Sequence, residues 1–151
     1  MEVSGWMQQA LLLARRAASQ DEVPVGAVVV HEGRIIGRGY NLREKKQDPV
    51  AHAEIRAIVA AAKKLRSWRL EDCTLVVTLE PCPMCLAACQ QARIKRVVFG
   101  AQDPKGGALS LGYRLHEDQR THHRFELVYD ETKECGEVLT EFFKIKRKAK
   151  R

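Results

Sequence analysis

No run in this 151-residue chain approaches the roughly 18 uninterrupted apolar residues of a membrane-spanning helix. An export signal is missing too. The N-terminal apolar stretch, Leu11 to Leu13, is short and is followed at once by Arg15 and Arg16. These absences make a cytoplasmic location the expectation. The cysteines cannot all pair off, because there are five: Cys73, Cys82, Cys85, Cys89 and Cys135. Three fall within eight residues, too close to staple a fold by separate bridges. In a chain without an export signal, such a cluster points to metal ligands or reactive thiols. Internal repeats, low-complexity tracts and linkers are absent as well. Residues 1–151 read as a single domain, long enough to bury a core without disulfides.

Net charge is nearly lacking from most of the chain. The formal total is +7, but the last eight residues, 144–151, hold six basic side chains and no acid. The other 143 residues carry 20 bases against 19 acids. A basic strip of this kind attracts polyanions, nucleic acid above all. It also suits a solvated helix end, where cations are favoured.

What is present alternates between helical and strand-like periodicity. Trp6, Ala10, Leu13, Ala14 and Ala17 mark a first amphipathic helix that ends before Pro24. Val25 to Val30 and Arg34 to Tyr40 read as a hairpin around Glu32-Gly33, followed by a polar loop from Asn41 to Pro49. A second helix is expected from near Val50, with Ala51, Ile55, Ile58, Val59, Ala62 and Leu65 on its buried face. Thr74 to Leu79 is a continuous apolar run, as in a strand buried on both faces. A third helix opens at Pro81 or Pro83 and runs to about Gln91. Arg96 to Phe99 and Phe125 to Tyr129 read as strands and Leu109 to Leu115 as helical. A closing helix, Glu134 to Lys148, has Val138, Leu139, Phe142 and Phe143 to bury. The fold class is therefore α/β: a three-layer α/β/α arrangement, with a mixed, mainly parallel five-stranded sheet and helices on both faces.

The chemistry concentrates at two helix openings. His52-Ala53-Glu54 begins the second helix and Pro81-Cys82-Pro83-Met84-Cys85 the third. Cys82 and Cys85 are three apart, close to one turn, so both sulfurs reach one point. A helix N-terminus favours thiolate. With His52 as a third, neutral ligand, two thiolates balance one Zn2+. A fourth position stays open for water, the pattern of a catalytic rather than a structural zinc. Glu54 is placed to take a proton from that water and return protons to a substrate. Cys89, one turn beyond Cys85 among alanines, reads as a packing thiol, and Cys73 and Cys135 as core or surface thiols. His31, His116 and His122 read as surface residues. Alone, C-x-x-C is often a redox pair and H-x-E is close to noise. Together, H-x-E…P-C-x-x-C is the pattern of zinc nucleobase deaminases.

At these motifs the sequence resembles the bacterial tRNA-specific adenosine deaminases, of the cytidine deaminase-like fold. Val23-Pro24-Val25-Gly26-Ala27 and Gly39-Tyr40-Asn41 are similar to stretches of that family, as are Asp48 to Ile55, Thr78 to Cys85 and Val97 to Ala101. So is Phe142-Phe143 followed by basic residues. The resemblance implies one zinc per subunit and hydrolysis of adenosine to inosine at the wobble position of an anticodon stem-loop of tRNA. It implies a homodimer with RNA bound across both subunits. It further implies that Asn41 bonds the flipped-out nucleoside, that Val25, Leu79 and Ala53 line its pocket, and that Asp103 lines the RNA path. Lys105, His123, Arg124, Lys144, Arg147 and Lys148 are the expected RNA contacts. Read without the resemblance, Asn41 and Asp103 are equally turn residues. The chain departs from the family over Ala108 to Tyr113 and at His122, which bears on RNA contacts rather than on chemistry.

Two other functions fit the same residues. One is a deaminase of guanine, cytosine or a free nucleoside. The other is a non-catalytic RNA-binding module stabilised by zinc, which would gain if Cys89 closed the tetrahedron.

Overall fold

The computed structural model describes residues 3–149. Lys150 and Arg151, part of the basic strip, lie outside the described residues. The elements run α1 (Val3–Ser19), β1 (Gly26–His31), β2 (Arg34–Tyr40), α2 (Arg43–Lys46), α3 (Ala53–Leu65) and β3 (Cys73–Val77). They continue with α4 (Pro83–Gln91), β4 (Arg96–Phe99), a 3-10 turn at Leu115–Glu117, β5 (Glu126–Tyr129) and α5 (Lys133–Ala149). The sheet order is β2-β1-β3-β4-β5. β1 runs antiparallel to both of its neighbours, while β3, β4 and β5 pair in parallel. Four strands therefore share one direction and β1 alone is reversed. This is the mixed, mainly parallel five-stranded sheet that the sequence suggests. Among the described residues, no helix is long and apolar enough to cross a membrane.

Strand alternation divides the core in two. Ala27, Val29, Leu75, Val77, Val97 and Phe99 face α3 and α4, together with Leu86 and Cys89. Val28, Val30, Val76 and Val98 face Met7, Ala10 and Leu11 of α1 and Cys135 of α5. These strands are apolar on both faces, as strands covered by two helical layers must be.

The buried seam of α3 differs from the expected one. Ala53, Ala57 and Ala61 are its fully buried apolar residues, while Val59 is 47% exposed. The reason is a close approach. A Cβ on Gly39 would overlap the Ala53 carbonyl oxygen, so this helix lies directly on the backbone of β2. Only small side chains fit such a seam, and the larger Ile55 and Val59 turn outward. Gly39→Ala should accordingly cost about 1–3 kcal/mol by overpacking. The melting temperature should fall by roughly 3–10 °C in a chain of this size. Gly136→Ala in α5, where an added Cβ meets nothing within 4 Å, should leave it level or slightly higher. Equal melting temperatures for the two variants would contradict the close approach.

Three further expectations are corrected. The loop from Asn41 contains a short helix, α2, because the buried carboxylate of Glu22 accepts hydrogen bonds from the backbone N–H groups of Glu44 (3.0 Å) and Lys45 (2.7 Å). The expected helix over Leu109 to Leu115 is absent: residues 109–112 are turns, 113 and 114 irregular, and Leu115 only begins the 3-10 turn, with Gly112 at φ +92° and the Ser110 amide committed to Glu80. α5 buries only Cys135 fully; Phe143 stays 44% exposed.

Candidate functional site

The shared strand direction assembles the site. β2, β3 and β4 end at the same edge of the sheet, and reversed β1 begins there. Asn41 follows β2, Leu79 to Cys82 follow β3, and Asp103 follows β4; Val25 precedes β1. Ligands collect at such carboxyl ends of strands. A cavity of about 210 Å³ opens there, lined by Val23, Val25, Asn41, Arg43, His52, Ala53, Glu54, Leu79, Glu80, Cys82 and Asp103. Every residue expected at the metal, the proton-transfer position or the nucleoside lines this cavity except Cys85, which is fully buried.

Each motif uses the first turn of its helix in the same way. His52 is the N-cap of α3, with φ −76° and ψ 154°, and Cys82 is the N-cap of α4, with φ −72° and ψ 169°. An N-cap stands outside helical periodicity, so both side chains leave the helix axis. That is how His52 and Glu54, two residues apart, turn toward one site. The His52 side chain makes no capping bond to α3, and the Cys82 sulfur is engaged by His52 and Cys85. The positive ends of two helices therefore face the cluster.

His52 Nδ1 lies 3.6 Å from Cys82 Sγ and 3.5 Å from Cys85 Sγ. All three ligand atoms fall within 4.8 Å of one another, the one such group of His, Cys, Asp or Glu found among the described residues. A tetrahedral zinc with ordinary Zn–N and Zn–S bonds separates its ligand atoms by about 3.6 Å. The donor set and its spacing therefore fit zinc. The electrostatics agree. A hydrogen bond from Cys85, aided by His52 and opposed by burial, holds the Cys82 thiol down at about 4. The same bond, with burial, pushes Cys85 up. His52 is raised by its bond to Cys82, against burial. A dication would replace the protons crowded into this cluster.

Glu54 is 4% exposed. Burial is the main cause that pushes its carboxyl up to about 7. A group that both accepts and donates protons near neutrality is what general acid–base work needs. Cys89 is fully buried in the core and raised by burial. It stands outside the ligand group, as a packing thiol should. Cys73 and Cys135 are buried too.

Asn41 and Asp103 combine the two roles left open by the residues alone. Asn41 Oδ1 accepts the Arg43 amide (3.2 Å) and its Nδ2 donates to Val23 O (3.2 Å), so it forms a turn while lining the cavity. One donor and one lone pair of its amide remain. Asp103 Oδ1 accepts the Gly106 amide (3.1 Å) at the cavity rim.

The expected RNA contacts are scattered over the surface. Lys105, Arg124, Lys144, Arg147 and Lys148 are exposed. His123 is half-buried, with Nε2 2.7 Å from Ile94 O and its ring stacked on Phe125. His116 is buried rather than on the surface, packed against Phe125. Sequence reasoning missed Val23, Arg43 and Glu80 in the cavity lining. Val23 and Glu80 lie within stretches that carry the family resemblance, and Arg43 two residues after Asn41, which was their signal.

The MafB19-like deaminase family matches residues 1–147. A tRNA-specific adenosine deaminase of Bacillus subtilis is 47% identical over 147 residues, covering 97% of this chain and 91% of that protein. Another, from Agrobacterium fabrum, is 46% identical over 97% of each chain. A solved structure from a study of A-to-I editing by tRNA:A34 deaminases superposes with a TM-score of 0.82 at 42% identity, over 92% of this chain and 99% of the other. The guanine deaminase of Bacillus subtilis superposes less well, with a TM-score of 0.66 at 33% identity, over 97% of this chain and 95% of the other.

Proposed function

Since the chain belongs to the MafB19-like deaminase family, among the tRNA-specific adenosine deaminases, we propose that it hydrolyses adenosine to inosine at the wobble position of a tRNA anticodon, releasing ammonia. The observation that carries the chemistry is one cavity bringing together His52, Cys82, Cys85 and the buried carboxyl of Glu54. The substrate follows from the nearness to tRNA deaminases, which exceeds that to guanine deaminase both in identity and in superposition.

His52, Cys82 and Cys85 would hold one zinc ion, which supplies Lewis-acid chemistry and makes a water nucleophilic at neutral pH. Glu54 takes a proton from the attacking water at its carboxylate. It delivers that proton to the adenine ring nitrogen beside C6, then takes the remaining proton from the hydroxyl now on C6 and passes it to the amine, which leaves as ammonia. Val25, Leu79 and Ala53 wall the base, and the free valences of Asn41 hold the nucleoside. An anticodon loop suits the site because its bases are already unpaired, which lowers the cost of taking one out of the stack. Asp103 lines the path of the RNA. Lys105, His123 and Arg124 contact it, and Lys144, Arg147 and Lys148 add sequence-independent attraction for phosphates. The cytoplasm is the compartment where such a substrate is met.

The active form is a homodimer. Ile55, Ile58, Val59, Ala62, Trp68, Ala88 and Ala92 line a broad apolar groove on the α3–α4 face. Trp68 there is 59% exposed. Exposed apolar surface of this kind marks an interface. Val59→Arg should convert dimer to monomer in sedimentation while the circular dichroism spectrum stays native. A dimer that survives the arginine would place the interface elsewhere.

The test of the function offers the zinc-loaded protein an anticodon stem-loop bearing a wobble adenosine, beside free adenosine, cytidine and guanine. Inosine from the stem-loop alone is expected. Ammonia from a free base or nucleoside alone would keep the zinc chemistry and discard the RNA substrate.

A further inference from the structure

Glu80 is 3% exposed, stands between the pocket residue Leu79 and the Pro81-Cys82 turn, and touches the cavity. Its carboxylate is committed to the loop that follows β4. Oε1 accepts the Asp103 amide (3.1 Å) and the Ser110 hydroxyl (2.6 Å), and Oε2 accepts the Ser110 amide (2.7 Å). The loop closes against it so tightly that a Cβ on Gly107 would overlap Oε2. Backbone bonds continue the seam: Glu80 N–H to Ala101 O (2.8 Å) and Ala108 N–H to Pro81 O (2.8 Å). Two N–H groups and one hydroxyl, from residues seven apart, thus converge on a single buried carboxyl group.

We propose that Glu80 is a positioning residue that ties the metal-binding turn to the 103–110 loop, with the Ser110 hydroxyl completing the clasp. It holds Asp103 at the cavity rim and so sets how the RNA substrate is seated, without touching the reacting atoms. The inference rests on the cavity being the nucleoside site, but one of its measurements does not.

Glu80→Gln keeps the size of the side chain and replaces one acceptor oxygen by a donor, so one backbone N–H loses its partner in either amide orientation. Amide hydrogen exchange at Asp103 or at Ser110, whichever loses its acceptor, should quicken about tenfold or more, while amides of β3 and β4 stay unchanged. KM for the stem-loop should rise about tenfold with kcat within about threefold, the signature of lost binding rather than lost chemistry. Ser110→Ala removes only the hydroxyl and should raise KM about threefold. Unchanged exchange at both amides in Glu80→Gln would overturn the proposal. So would a fall in kcat at constant KM and full zinc content, which would make Glu80 a catalytic residue. If Glu80→Gln fails to fold or to hold zinc, Ser110→Ala decides alone, and an unchanged KM together with unchanged exchange overturns the clasp. A wild-type protein silent on the stem-loop refutes the function but leaves the exchange measurement valid, so the two failures are distinguishable.

Discussion

Glu54→Ala lowers kcat on the anticodon stem-loop by about 10²–10⁴-fold, the usual yield of a positioned general acid–base, with zinc content and RNA affinity unchanged. The carboxyl sits at the second residue of α3, buried beside the cluster that His52 anchors from the N-cap. Of the other two carboxyls lining the cavity, Glu80 is clasped to its loop and Asp103 to Gly106. Glu54→Gln separates shape from proton transfer, because it fills the same space and cannot cycle a proton; it should be as inactive as the alanine variant. Burying a carboxyl in this environment costs free energy, so both variants should melt at or above the wild-type temperature. That is the usual trade between stability and activity. A variant keeping more than about a tenth of wild-type kcat would remove Glu54 from proton transfer, since even the weak end of general acid–base catalysis exceeds that.

Removing the metal ligands gives the second large effect. Cys85→Ala should reduce zinc from about one ion per chain to a small fraction, because two protein ligands cannot replace the three-ligand set of a catalytic site. Turnover should fall by roughly 10³-fold or more, as the pKa of water returns from about 7 to 15.7. Chelation of the wild-type protein should reproduce the loss, and added zinc should reverse it. Thermal stability should drop with the metal, by the linkage between binding and folding. Cys89→Ala is the control. It stands one helical turn beyond Cys85 in the packed core, and it should keep full zinc content and activity while losing about 1 kcal/mol of stability. If Cys89→Ala instead lost the ion, the tetrahedron would be closed by four protein ligands. The zinc would then be structural, and the reading would move to a binding module.

The metal motif was legible because ligation constrains residue type as well as spacing. Few residues other than His and Cys bind zinc with these bond lengths, and three-residue spacing at a helix opening converges two sulfurs without knowledge of the rest of the chain. Strand positions were legible for a similar reason. β1, β3 and β4 are covered on both sides, so their apolar runs are unbroken and need no partner to be recognised.

The faces of helices were not legible to the same degree. A hydrophobic pattern weights large residues, and in α3 Ile55 and Val59 turn outward while Ile58 and Leu65 pack at the edge of the core, because Gly37 and Gly39 draw the helix onto the strand backbone. The outward set, Ile55, Val59 and Trp68, instead forms the groove assigned to the dimer. In α5 the aromatic pair Phe142-Phe143 pointed to burial, yet the helix meets the body chiefly through Cys135 and Val138. Its basic end also spends one charge within the fold, where Lys146 pairs with Asp21 at 2.5 Å. His116 carried no sign of burial, because burial of a polar ring depends on what the rest of the chain packs over it.

By itself the sequence determined the α/β class, the kinship, and the His-Cys-Cys group and neighbouring carboxyl proposed for zinc and proton transfer, since each of these is a property of residue type and local spacing. Only the tertiary structure decided that the ends of β2, β3 and β4 and the start of β1 meet at one edge, which is what makes Val25, Asn41, Leu79 and Asp103 neighbours. It alone decided what the buried carboxylates Glu22 and Glu80 do, because each is bonded to backbone amides more than 20 residues away. Contacts of that range are paid for by the closure of the whole chain, and no local pattern of side chains records them.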